Sequence, residues 1–146
     1  MAEVKRFSLV RPSLNTPFHI DFDWWSQNER NWRVHLMEYL SEEHRATLRE
    51  SGMDEMFDLV DPHTAEVRQV DAIQHLLITY YSGQENFLTE SSSMVESIFR
   101  LFLTNGNAPL TPIEIGERLH RPAETILKVL SGTRVYRGLR PYGGSN

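Results

Sequence analysis

Twenty-two residues near the C-terminus, TPIEIGERLHRPAETILKVLSG at 111–132, restrict the fold more than any other part of the chain. Thr111 is an N-cap residue type, Pro112 follows at the first helical position, and Glu114 stands three residues after the cap. This is a capping box, with proline where its missing N–H costs nothing. Ile113, Ile115 and Leu119 supply the apolar positions. Pro122 disfavours helix in the residue before it and suits the first turn of a new helix, so the run breaks at His120-Arg121-Pro122. Ile126, Leu127, Val129 and Leu130 then form a second helix, which Gly132 is placed to end.

Two helices with so short a break form a helix-turn-helix. The stretch resembles the helix-turn-helix core of winged-helix domains. The resemblance is carried by a small residue in the first helix (Gly116), the leucine that ends it (Leu119), the Thr125-Ile126 pair and Leu130. A tail with strand character, Val135 to Tyr142, corresponds to the wing, while His120 stands where many such motifs carry glycine. The likeness covers the last third of the chain and speaks to fold more than to partner.

The helix expected before this motif is also present. Ser93 and Glu96 make another capping box, followed by Val95, Ile98, Phe99, Phe102 and Leu103 at helical spacing, with Asn105-Gly106-Asn107 to close it. Further upstream, Ser82-Gly83-Gln84-Glu85-Asn86 is polar and contains a glycine, which marks it as the boundary between two domains, 1–86 and 87–146.

The first part reads as mixed strand and helix. Residues 1–23 alternate, with Phe7, Leu9, Phe18, Ile20 and Phe22 separated by polar residues, as an amphipathic strand does. In such a strand His19, Asp21 and Asp23 share one face. That set suits a divalent cation, yet nothing in the spacing completes a site, and a solvent-facing strand side explains it. No metal is therefore assigned. Asn28 to Ser51 reads as helix with a break near Ser41, its stripe formed by Val34, Met37, Leu40 and Leu48. Met56 to Val70 reads as a β-hairpin turning at Asp61-Pro62, although 64–70 also fits a helical spacing. Ala72 to Tyr81 follows as a helix with Ile73, Leu76, Leu77 and Tyr80 inward and His75 at its surface. The fold class expected is α+β: an N-terminal strand and helix domain with a hairpin, then a winged helix-turn-helix domain.

Trp24, Trp25 and Trp32, all the tryptophans of the chain, fall within nine positions. Core packing is the expectation for such a cluster, with contact to a partner chain as the alternative.

Charge separates the same two halves. Residues 91–146 carry seven cations against four anions, a balance of +3, and residues 1–90 carry the remaining −8 of the net −5. Such a split points to an anionic partner for the C-terminal part. Duplex DNA is the first such partner. The first turns of the second helix would enter the major groove, with Glu124, Thr125 and Lys128 toward the bases. Arg121, Arg134, Arg137 and Arg140 would hold phosphates. Arg, Asn and Gln are absent from that helix face, so base reading is thin and backbone contact dominates. The helix is also apolar on more than one side, which favours a second reading: a non-enzymatic subunit of a larger complex that uses the fold for protein contact. A homodimer is compatible with either.

Enzyme chemistry finds no support. The chain has no cysteine, and no serine-histidine-aspartate set, phosphate-binding glycine loop or catalytic carboxylate pair is present in motif form. No cofactor is expected. No window is apolar enough for a membrane helix, and the first residues do not read as a signal peptide, so a cytoplasmic location is expected.

Overall fold

The computed structural model describes residues 11–28, 32–51, 55–61, 63–89, 93–132 and 137–143. In chain order the described elements are β1 (Phe18–Ile20), α1 (Phe22–Asn28), α2 (Trp32–Met37), α3 (Glu42–Ser51), β2 (Met56–Val60) and β3 (Val67–Asp71). They continue with α4 (Ala72–Thr79), a 3-10 turn (Tyr81–Gly83), α5 (Glu85–Thr89), α6 (Met94–Thr104), α7 (Pro112–Leu119), α8 (Ala123–Leu130) and β4 (Leu139–Pro141). The strands form two small antiparallel sheets, and the class is α+β.

The N-terminal strand is much shorter than the alternation suggested. It spans Phe18–Ile20, and Phe22 and Asp23 already belong to α1. The Asp21 carboxylate accepts from the Asp23 backbone N–H at 3.0 Å, which turns the chain into the helix and ends the alternation. The residues 1–10 of the expected strand lie outside the described residues. Trp24 and Trp25 follow on α1.

What β1 does was not visible in its sequence. Phe18 exchanges backbone hydrogen bonds with Leu110 on one side, at 2.8 and 3.0 Å. On its other side β1 pairs with β4 in the register Phe18↔Pro141, His19↔Arg140, Ile20↔Leu139. Asn107 extends the first ladder with its side chain, accepting from Ile20 N–H and donating to Ile20 C=O, both at 2.8 Å. A backbone segment near the start of the chain is thus the middle member between two segments near its end. Phe18 and Ile20 are fully buried there, which is worth about 1.5–3 kcal/mol per side chain.

The helical segment 28–51 breaks before Ser41 as expected, with α3 starting at Glu42. Val34, placed in the apolar stripe from sequence, is 63% exposed, and Leu36 is buried in its stead. The hairpin is present: Met56↔Asp71 through Val60↔Val67 pair antiparallel, and strand prevails over the helical alternative in 67–71. Asp61 holds the turn by accepting from the His63 and Thr64 N–H groups at 2.7 and 3.1 Å. Asp71 ends β3 and opens α4 with a reciprocal capping box to Gln74. His75 of α4 stacks on Phe57 of β2, ring centroids 4.2 Å apart. Tyr80, expected inward, is exposed, and Tyr81 is buried.

The polar stretch 82–86 is spanned by the 3-10 turn and the start of α5, with Tyr81 and Phe87 buried on either side of it. One buried cluster crosses position 86: Phe18, Trp25, Leu36, Ile73 and Leu77 belong to it together with Ile98, Phe99, Phe102, Ile115 and Ile126.

The α7–α8 pair follows its sequence closely. Thr111 Oγ1 accepts from Glu114 N–H at 3.2 Å and Glu114 Oε1 accepts from Thr111 N–H at 2.9 Å, the full capping box. His120 ends α7 in the left-handed region, φ 58° and ψ 48°. Arg121 N–H returns to Gly116 C=O at 3.0 Å, drawing the turn back over α7. Gly116 is required by this closeness: a Cβ there would lie 2.6 Å from the Arg121 carbonyl oxygen. Since that neighbour is backbone, Gly116→Ala is expected to destabilise the protein by about 2 kcal/mol. His120→Gly, which removes a left-handed side chain, is expected to stabilise it by up to about 1 kcal/mol. Urea unfolding of the two variants checks both signs.

Candidate functional site

The surface of the α7–α8 pair is the place where the sequence puts partner contact. Ile115 and Ile126 face inward, fully buried, and hold the two helices against α6. On the other side Glu124, Thr125 and Lys128 of α8 are exposed, with Arg121 exposed just before the helix. Val129, 38% exposed, and Ile113, 39% exposed, put apolar surface outward on α8 and α7. Among the described residues, the pair and its turn expose Glu114, Glu117 and Glu124 against Arg118, Arg121 and Lys128, equal numbers of each sign.

Of the arginines expected to hold phosphate, Arg121 is exposed, while Arg137 and Arg140 are paired within the fold. Arg134 lies outside the described residues. Arg140 pairs with Asp21 at 3.3 Å across the β1–β4 ladder. Arg137 turns inward: its Nη1 donates to Glu96 Oε1 at 2.5 Å and to the Tyr39 hydroxyl at 2.8 Å, with the guanidinium over the Phe99 ring. The Arg137 backbone carbonyl accepts from Trp25 Nε1–H at 3.0 Å. Next to it, Gly138 lies so near α1 that a Cβ would come within 2.9 Å of the Asp21 carbonyl oxygen. The base of the segment after α8 is therefore fastened to the N-terminal helices on several sides.

Glu96 is the hub of this cluster. Besides Arg137 it accepts from the Tyr39 hydroxyl at 2.5 Å, and Arg100, four residues on along α6, lies 3.4 Å away. Arg100 also donates to the Phe87 carbonyl at 2.9 Å and lies over the Tyr39 and Phe87 rings. Burial first, then the hydrogen bond to the Glu96 carboxylate, pushes the Tyr39 hydroxyl well above its ordinary value of 10.0. The cluster joins the turn after α2, α6 and the segment before β4. It is mostly enclosed, and every group in it is spent on another.

The tryptophans divide. Trp25 is buried, against Phe99 and His35. Trp24 and Trp32 are half-buried, Trp24 edge-on to Trp25 and Trp32 against Phe22. The His19, Asp21 and Asp23 set is split by the start of α1, so the three do not share a strand face. No metal-holding group of His and carboxylates occurs among the described residues. Burial lowers the His19 imidazole below its ordinary 6.5, only partly opposed by Asp21.

A second feature escaped sequence reading. A cleft of about 270 Å³ opens between α5, the start of α6 and the α7–α8 turn. Leu88, Met94 and Leu119 give it apolar wall, Ser93 and Ser97 give it hydroxyls, and Arg121 stands at its edge. These residues come from three separate stretches. Only the apolar periodicity of α6, which continues outward at Met94, hinted at it.

No protein-family model matches the chain, and no curated protein or solved structure matches it either.

The Glu96 cluster makes a prediction with two readouts. Arg137→Ala leaves a largely buried carboxylate and a half-buried hydroxyl short of a donor, and is expected to cost about 2 kcal/mol in urea unfolding. Because the folded state holds the Tyr39 hydroxyl above its unfolded value, the neutral form is favoured by folding. That contribution is complete below pH 10 and is lost as pH rises past it. Tyr39→Phe is expected to flatten the fall in thermal midpoint above pH 10, and an unchanged alkaline slope would refute the assignment.

Proposed function

We propose that this protein is a non-enzymatic docking subunit, in which a winged helix-turn-helix unit presents the α7–α8 surface to a protein partner. Support for the winged part lies in the order of its pieces: α6, a bridge residue at Leu110, the α7–α8 pair, then β4 returning to the small sheet. Support for protein as the partner lies chiefly in the charge of the surface. Duplex binding strength grows with the number of phosphates that lysine and arginine neutralise. Here three exposed anions offset three exposed cations, and Arg137 and Arg140 are held in ion pairs within the fold. A balanced face with outward Val129 and Ile113 suits a protein surface better than a polyanion.

One observation favours the other reading, a DNA-binding regulator: Arg118, Arg121 and Lys128 all remain exposed on the α7–α8 pair. Full-length tagged protein recovered from native extract, with and without nuclease, separates the two. The docking reading expects a stoichiometric protein partner, insensitive to nuclease, whose recovery falls about tenfold with Val129→Asp. A mobility shift on duplex DNA that collapses with added salt, and no such partner, would replace it by the DNA reading.

A further inference from the structure

We propose that the outer edge of β2 receives an extended segment of another protein, antiparallel to β2, with basic residues three positions apart. The contact uses none of the α7–α8 residues and does not rest on the docking reading.

The backbone comes first. Asp61 N–H donates to the Glu66 carbonyl at 2.8 Å, and the register runs from Val60↔Val67 to Met56↔Asp71. Antiparallel pairing alternates, so Leu59 and Phe57 exchange hydrogen bonds with Arg68 and Val70, while Met56, Asp58 and Val60 point their N–H and C=O groups away from β3. Among the described residues no hydrogen bond reaches those outward groups. The complement of such a row is another extended backbone. The β3 edge is less open, because Asp71 N–H donates to the Gln74 side chain and the Asp71 carboxylate meets Arg33 at 2.9 Å. The hairpin is also fixed in place: Phe57 stacks on His75, and the Arg68 guanidinium donates to the Gly106 carbonyl. An incoming strand therefore meets a preformed template.

Side chains decide the chemistry of the segment. Glu55, Asp58 and Asp61 are all exposed, at intervals of three, and 55–61 contains no cation. The neighbouring residues outside the description, Gly52, Met53, Asp54 and Pro62, add none. His63 and Arg68 lie near Asp61, on the face of the hairpin that also carries Phe57 and Leu59. Asp58 is on the opposite face, between the exposed Met56 and Val60. Lysine or arginine opposite each carboxylate, with aliphatic residues opposite Met56 and Val60, is the matching pattern. A second copy of β2 does not match. In the register that uses all five strand residues, Asp58 would face Asp58 and Glu55 would face Asp61, and like charges directly opposite each other oppose pairing.

The test is a titration of the full-length ¹⁵N-labelled protein with acetyl-Lys-Val-Thr-Lys-Thr-Val-Lys-amide and with its analogue in which glutamine replaces each lysine. The expected result is saturable amide shifts along 55–61, with new protection from hydrogen exchange at the Asp58 and Val60 amides. The glutamine peptide should bind about tenfold more weakly. N-methylation of the central lysine, whose N–H would point at β2, should abolish binding. Asp58→Lys should weaken the lysine peptide about tenfold and leave the glutamine peptide unchanged, which also shows that the variant is folded. Val129→Asp, on the α7–α8 surface, should leave both peptides unchanged. Shifts that are absent or located elsewhere, equal affinity for the two peptides, or binding that survives the N-methyl group would overturn the proposal. So would concentration-dependent dimerisation of the free protein with protection at the same two amides, which would assign the edge to a second copy.

Discussion

The architecture depends on β1 lying between Leu110 and β4. A sheet member with partners on both sides satisfies its backbone groups twice over, and this one closes the chain's beginning onto its end. The described segment 137–142 is then positioned largely by residues from the first part of the chain. Trp25 binds the Arg137 carbonyl, Asp21 N–H binds the Gly138 carbonyl, and the Asp21 carboxylate pairs with Arg140. The buried cluster follows the same path, because Phe18 and Ile20 carry the N-terminal core into the space beneath α6, α7 and α8.

That closure redirects charge. An arginine-rich tail after a helix-turn-helix suggests a phosphate-binding wing when the residues are read alone. In the folded chain Arg137 meets Glu96 and Tyr39, and Arg140 meets Asp21, so both guanidiniums serve tertiary structure. An ion pair with 14% and 30% exposed side chains contributes modestly as attraction, but losing one partner strands the other. The same residues thus bind the tail firmly and leave the α7–α8 surface charge-balanced.

Local features were legible wherever neighbouring residues in sequence cause them. The Thr111–Glu114 capping box, the break at Pro122, the Ser93 N-cap and the hairpin turn at Asp61 are all short-range arrangements and stand where their residues imply, but the Ser93–Glu96 box is only half formed, because the Glu96 carboxylate turns to Tyr39 and Arg137. Alternation in 1–23 misled because a period of two can end at any residue. The Asp21 carboxylate, which caps the following turn, is a weak signal beside a run of aromatic residues. Val34 failed for a related reason: a helical stripe predicts which residues share a side, but not which side the rest of the protein covers.

By itself the sequence determined the α7–α8 helix pair, the Thr111 cap, the hairpin and the amphipathic α6, because arrangements of residues close in sequence decide them. Only the tertiary structure decided that β1 and β4 share one sheet, that Trp25 is core, that Arg137 turns inward and Arg140 pairs with Asp21 at the surface, and that three stretches form a cleft beside Arg121. Each of these is a contact between residues distant in sequence, whose formation depends on how packed elements meet and on which charges remain when the closest pairs have combined.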